Sequence, residues 1–184
     1  MSSEEFINDC LSFANKRLNE FKNLKKGKIE GADPKVREQL FREFFFHLVS
    51  AIDFLAQFIN AKRNLGLSMK EAKVFNVRSK LNGLNPDDPI IPILDILYPK
   101  IDENNLPLDP YSDLGRHTRI IIYRNFITHR SRNPNCFRTT TWALHLFLYP
   151  NDKNSNVSNN TVIEEMDIFY KLVEDKCEKA IKLI

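Results

Sequence analysis

A long amphipathic stretch in the first third of the chain most constrains the fold. From about Pro34 to Asn64, apolar side chains recur every three or four residues and share one broad face: Phe41, Phe44, Phe45, Leu48, Ile52, Leu55 and Ile59. This spacing predicts a single helix of about thirty residues. Asp33-Pro34 would begin it, as an N-cap followed by a first-turn proline. We therefore expect this helix to be the spine of the hydrophobic core.

The same periodicity continues through the rest of the chain. It predicts helices at about residues 3–24, 68–81, 90–98, 113–130 and 161–184. Capping boxes open two of them, Ser68 with Glu71 and Thr161 with Glu164. We expect the second, fifth and last helices to build the core, with seven side chains mostly buried: Leu48, Ile52, Leu55, Ile121, Ile122, Phe169 and Val173.

One segment departs from the helical pattern. Residues 138–149 are rich in β-branched and aromatic side chains, so we expect a short hairpin or an edge strand there. Trp142, Phe147 and Tyr149 could stack bases, but packing in the core or at an interface is the preferred interpretation. The prediction is a mainly all-α bundle that forms a single domain over residues 1–184.

Several classes of protein are disfavoured by composition. The three cysteines have no metal-ligand spacing, and five glycines are too few for a Gly-rich phosphate loop, so we expect no metal and no cofactor. The acidic start shows no signal peptide. The apolar run from Phe41 to Ile59 contains Arg42, Glu43 and Asp53, which argue against a membrane span. A reduced, cytoplasmic protein that makes no membrane contact is therefore expected.

The charges of this chain are unevenly distributed. Between Leu114 and Asn151 there is no aspartate or glutamate, although the net charge of the chain is only +3. That window holds six of the eleven arginines: Arg116, Arg119, Arg124, Arg130, Arg132 and Arg138. Such clustering predicts a basic face that binds a polyanion such as RNA. Arg116, Arg119, Arg130 and Arg132 are expected to form its solvated, phosphate-contacting part.

Within the basic window, Arg124-Asn125-x-x-x-His129 occupies the last turns of the predicted fifth helix. A guanidinium can hold a phosphate with two parallel hydrogen bonds, and an imidazole can move a proton near neutral pH. Two other Arg–His pairs have a similar spacing, Arg42 with His47 and Arg138 with His145. Of the arginines in these three pairs, only Arg124 is followed directly by an asparagine.

This pattern resembles the signature of the HEPN superfamily, in which an arginine is followed by four to six residues and then a histidine. Proteins of that family are small helical bundles, usually dimers, that cut RNA without a metal. The resemblance implies that His129 acts as a general base on the ribose 2′-hydroxyl or as an acid toward the leaving oxygen. It also implies that Arg124 stabilises the transition state and that Asn125 holds the imidazole or a phosphate oxygen.

The same resemblance implies a 2′,3′-cyclic phosphate product and a role in defence or in a toxin–antitoxin pair, with an antitoxin protein as a possible partner. Some HEPN proteins carry a tyrosine three residues after the histidine, where this chain has Arg132. Subfamilies that use that tyrosine are therefore disfavoured.

A second class of function stays open. HEPN folds also serve as non-catalytic modules that bind RNA, nucleotide or protein. His129 could be a helix-end histidine bonded to the last carbonyls, and Asn125 could be a buried amide linking two helices. His117 is expected at the surface.

Helix geometry bears on this choice. Positions five residues apart on a straight helix are separated by roughly 140°, so Arg124 and His129 do not project together from a straight helix. The length of the arginine side chain could close that gap. A second copy packed across a two-fold axis could supply the missing group. We therefore expect a symmetric homodimer with the 113–130 helix at or beside the axis.

Overall fold

The computed structural model describes residues 3–26, 34–100, 107, 109–129 and 162–184. These residues form six helices: α1 (Ser3–Lys26), α2 (Pro34–Lys62), α3 (Val74–Leu84), α4 (Ile90–Leu97), α5 (Asp113–His129) and α6 (Val162–Lys182). No strand occurs in these ranges, and the predicted all-α bundle is confirmed. The strand-like segment 138–149 lies outside the described residues, and so do the predicted capping residues Asp33 and Thr161.

The expected spine of the core is confirmed. Helix α2 packs against α1, α3, α5 and α6, and its phenylalanines at 41, 44 and 45 are fully buried. Of the seven side chains predicted to be mostly buried, six are within 1% of full burial and Ile122 is partly buried. Helix α1 contributes more than expected, with six buried positions: Ile7, Cys10, Leu11, Ala14, Leu18 and Phe21.

Aromatic packing fixes the rotation of α5. The ring of Phe45 on α2 lies 5.5 Å from that of Tyr123 on α5 and 5.8 Å from that of Phe169 on α6, centroid to centroid. All three side chains are fully buried. Because Tyr123 is locked in this cluster, the side chain of the next residue, Arg124, is directed to the edge of the core.

Helix α2 is long and apolar. By length and composition alone, its segment Lys35–Lys62 could cross a membrane, but 56% of its apolar stretch is buried inside the bundle. Arg42 and Glu43 within it form ion pairs, with Glu38 and Arg17 respectively. The apolar face of α2 is therefore accounted for by the core of the bundle.

The start of α3 differs from the prediction. Glu71 Oε2 accepts hydrogen bonds from the Ser68 hydroxyl at 2.6 Å and from the Ser68 backbone N–H at 3.1 Å, but these residues close an isolated turn. Lys73 is extended (φ −87°, ψ 154°) and the helix begins at Val74. Ala72 and Val74 are each 3% exposed. Residues two apart project from nearly opposite sides of a helix, so burying both requires the break between them.

Gly115, in the first turn of α5, allows the preceding segment to cross the helix closely. A Cβ at this position would lie 2.2 Å from the carbonyl oxygen of Asp109 and 2.6 Å from Cα of Pro110. Both are backbone atoms, so the clash can be relieved only by moving the chain. We expect Gly115→Ala to lower the free energy of unfolding by about 1–3 kcal/mol, measured by urea titration.

Gly83→Ala is the matched control for this prediction. Position 83 is also helical, but a Cβ added there would have no atom within 4 Å. Alanine there should leave stability unchanged or raise it by roughly 0.5–1 kcal/mol through its better helix propensity. Equal effects of the two substitutions would contradict a close crossing at Gly115.

Candidate functional site

The candidate motif lies on one continuous helix. Helix α5 runs unbroken from Asp113 to His129 and ends within one residue of the prediction. Its side chains are described as far as Asn125. The side chain of His129, and all of Arg130 and Arg132, lie outside the described part of the chain. Because the helix is continuous, the separation of roughly 140° between positions 124 and 129 applies.

Arg124 is held by two groups. Its Nη1 donates a hydrogen bond to Oδ1 of Asn125 at 3.0 Å, and its Nη2 lies 3.6 Å from Oδ2 of Asp53 on α2. The Arg124 side chain remains 21% exposed, so a phosphate could reach it from solvent. The amide oxygen of Asn125 is thus engaged by its neighbour on the same helix, an arrangement that the sequence did not indicate.

Asp53 brings a carboxylate to the arginine-rich window. Burial raises the pKa of this group above its ordinary value, and the positive charges of Arg124 and Lys73 act in the opposite direction. The window from Leu114 to Asn151 lacks acids in the sequence, but acids from other helices lie next to its arginines in the folded protein. In space, α2 supplies an acid to Arg124, and α6 supplies one to the arginines nearer the start of α5.

Arg119 is not part of a solvated basic face, and that prediction is wrong. Its side chain and that of Glu165 on α6 are both fully buried, with Nη2 donating to Oε2 at 2.7 Å. Its Nε donates to the Pro110 carbonyl at 3.0 Å, and its Cζ lies 5.0 Å from the ring centroids of both Tyr111 and Phe169. Arg119 lies four residues before Tyr123 and so shares its core-facing side of α5.

Arg116 is largely withdrawn from solvent as well. Its Nη2 lies 3.3 Å from Oε1 of Glu165, its Nη1 donates to the Tyr111 carbonyl, and its side chain is 16% exposed. Glu165 therefore receives two guanidinium groups, one on each oxygen. Of the four arginines predicted to contact RNA, Arg116 and Arg119 serve the packing of α5 on α6.

His117 is fully buried, so its predicted surface position is wrong. Neither ring nitrogen has a hydrogen-bond partner among the described residues. Burial lowers the pKa of His117 to about 4, with Asp113 acting to raise it and Lys176 to lower it further. The imidazole is therefore uncharged at neutral pH. The sequence did contain a signal for the core side: His117 lies three and four residues before Ile120 and Ile121, which share its face of the helix. The surface prediction did not use this signal.

The other reactive groups of the described ranges are the potential metal ligands and the cysteines. Within these ranges, no group of three or more His, Cys, Asp or Glu side chains is arranged to hold a metal ion. Cys10 and Cys177 are buried, and burial raises the pKa of the Cys177 thiol to about 12.

No protein-family model, curated protein or solved structure matches this chain. The resemblance to the HEPN superfamily accordingly depends on the Arg124-Asn125-x-x-x-His129 pattern and on the helical bundle that carries it.

Proposed function

We propose that this protein is a metal-independent endoribonuclease of the HEPN type. The observation that supports the proposal most directly is the environment of Arg124. Its guanidinium is partly exposed near the end of α5, is bonded to the neighbouring Asn125, and precedes His129 on the same unbroken helix. The combination supports the proposal because a guanidinium can bind a phosphate and an imidazole can transfer a proton near neutral pH.

In the proposed reaction, protein side chains perform the proton transfer and the charge stabilisation without a metal ion. His129 takes the proton from a ribose 2′-hydroxyl, and the 2′-oxygen attacks the adjacent phosphorus. The bond from phosphorus to the 5′-oxygen breaks, that oxygen takes a proton from water as it leaves, and His129 returns its proton to solvent. The products are a 2′,3′-cyclic phosphate and a 5′-hydroxyl. Arg124 stabilises the extra negative charge on the phosphoryl oxygens in the transition state, while Arg130 and Arg132 contact flanking phosphates.

The test is cleavage of a structured RNA in EDTA by the wild type, His129→Ala and Arg124→Ala. Each variant should lose at least about a hundredfold in rate, the low end for a general acid–base group. His47→Ala is a matched control, because His47 also follows an arginine at the same spacing but lies half-buried on α2. Cleavage that stops in EDTA, or that persists in His129→Ala, would contradict the mechanism.

The separation of Arg124 from His129 around α5 leads us to propose a homodimer in which each site combines Arg124 of one copy with His129 of the other. A mixture of the Arg124→Ala and His129→Ala proteins then contains mixed dimers with one intact site each. After subunit exchange, activity should recover to about a quarter of the wild-type rate.

Each variant alone, brought to the same total concentration, is the control for this complementation. An inactive mixture, or a wild type that light scattering shows to be monomeric at micromolar concentration, would rule out sites shared between two copies.

A second candidate function is a non-catalytic HEPN-like module that binds RNA, nucleotide or protein. The observation that favours it is the same separation of roughly 140° between Arg124 and His129 on one helix. It becomes the preferred function if the wild type cuts no RNA. A cytoplasmic location, expected from composition, and an antitoxin partner, implied by the family resemblance, belong to the nuclease proposal as further expectations.

A further inference from the structure

We propose that Asp53 is a positioning residue for Arg124: the carboxylate on α2 holds the guanidinium on α5 in the orientation that contacts the scissile phosphate. The inference rests on the proposed nuclease function and deepens it. The observation behind it is the approach of Arg124 Nη2 to Asp53 Oδ2 at 3.6 Å, between two helices that the core holds in place.

The backbones on both sides of this contact are well anchored. Asp53 follows Ile52, which is fully buried, and precedes Phe54, whose ring stacks on Phe6 of α1 at 5.1 Å. Arg124 follows Tyr123, which is fully buried against Phe45. The distance between the two Cα positions is therefore set by core packing, and only the two side chains are left to adjust.

The guanidinium is held through two different nitrogens. Asn125 accepts a hydrogen bond from Nη1, and Asp53 faces Nη2. Because the guanidinium is planar and rigid, contacts to two of its nitrogens restrict its orientation more than a contact to one of them would. Such orientation matters for catalysis, because a displacement of about 1 Å in a positioned group can lower a rate by up to a hundredfold.

The pair contributes little to stability. Asp53 is 45% exposed and the contact is longer than a hydrogen bond, and exposed ion pairs of this kind are weak because water and salt screen them. Partial desolvation raises the pKa of Asp53, and the positive charge of Arg124 acts to lower it. An effect of Asp53 on the orientation of Arg124 should therefore appear in the kinetics and not in the stability.

A competing role predicts the opposite result. If Asp53 instead competed with phosphate for Arg124, removing its charge would tighten RNA binding and leave turnover unchanged or faster. A purely structural role would change the melting temperature and leave the kinetic constants alone. The three roles are therefore separated by kcat, KM and melting temperature measured on the same protein.

The experiment compares Asp53→Asn with Asp95→Asn in the full chain. Asp95 is the matched control, since it is also 45% exposed and also pairs with an arginine of another helix, Arg78 of α3. We expect Asp53→Asn to lower kcat by about tenfold, to change KM by less than about threefold, and to melt within a few degrees of the wild type. Asp95→Asn should leave both kinetic constants unchanged.

The outcomes separate this inference from the function on which it rests. An active wild type whose Asp53→Asn variant keeps its kcat, or binds RNA more tightly, overturns the positioning role and leaves the nuclease intact. A similar loss of kcat in Asp95→Asn overturns it too, because the effect would then be general. A wild type that cuts no RNA overturns the proposed function and the inference together.

Discussion

Glu165→Ala is expected to lower the free energy of unfolding by about 3–5 kcal/mol, the largest effect of any single substitution considered for this chain. Glu165 is fully buried and receives Arg119 on one oxygen and Arg116 on the other. Removing the carboxylate would leave the guanidinium of Arg119, itself fully buried, without its counter-charge. Urea unfolding followed by circular dichroism measures the effect.

Two further proteins complete this test. Asp175→Ala removes an ion pair with Lys179 on the same helix, where both side chains are at least half exposed, and should change stability by less than about 1 kcal/mol. The double variant Arg119→Met/Glu165→Leu removes the two fully buried charges at once, leaves only the partly exposed Arg116 without this partner, and should recover most of the stability. A Glu165→Ala protein as stable as Asp175→Ala would contradict a buried ion pair.

The second large effect is a loss of stability in acid that depends on His117. Burial lowers the pKa of His117 from 6.5 to about 4, so the unfolded chain binds this proton more readily than the folded one. Stability from the neutral imidazole is fully present above pH 6.5 and is lost progressively as the pH falls toward 4. A shift of this size corresponds to about 3 kcal/mol.

The measurement is the free energy of unfolding between pH 7 and pH 4, for the wild type and for His117→Leu. Leucine has no proton to gain, and it removes two ring nitrogens that have no partner in the described part of the chain. The variant should therefore lose much less stability in this range, and the difference isolates His117 from His47, whose pKa burial also lowers. Parallel curves for the two proteins would show that His117 does not titrate as a buried group.

The positions of the helices could be predicted from the sequence because their signal is local. Apolar residues spaced three or four apart mark a helix and its buried face without reference to the rest of the chain. This is why α2, α5 and the buried positions Leu48, Ile121 and Phe169 agree with the prediction. The same reasoning failed at Ser68, because a capping box fixes a turn but does not decide whether the helix continues.

The candidate motif was also visible in the sequence, but its surroundings were not. Counting charges along the chain placed Arg119 on a solvated face, whereas its partner Glu165 lies 46 residues away. His117 is predicted at the surface from its distance to the end of α5 and to Arg124, although its side chain is fully buried. The contact of Arg124 with Asp53 likewise joins two helices that are distant in the chain.

The sequence by itself thus determined where the chain is helical and which face of each helix is apolar, since these depend on neighbours within one or two turns. Only the tertiary structure decided which charges are neutralised, which are buried and which remain accessible. Those properties depend on the side chains that other helices bring within a few ångströms, because the Coulomb energy and the desolvation of a charge are set by distance in space.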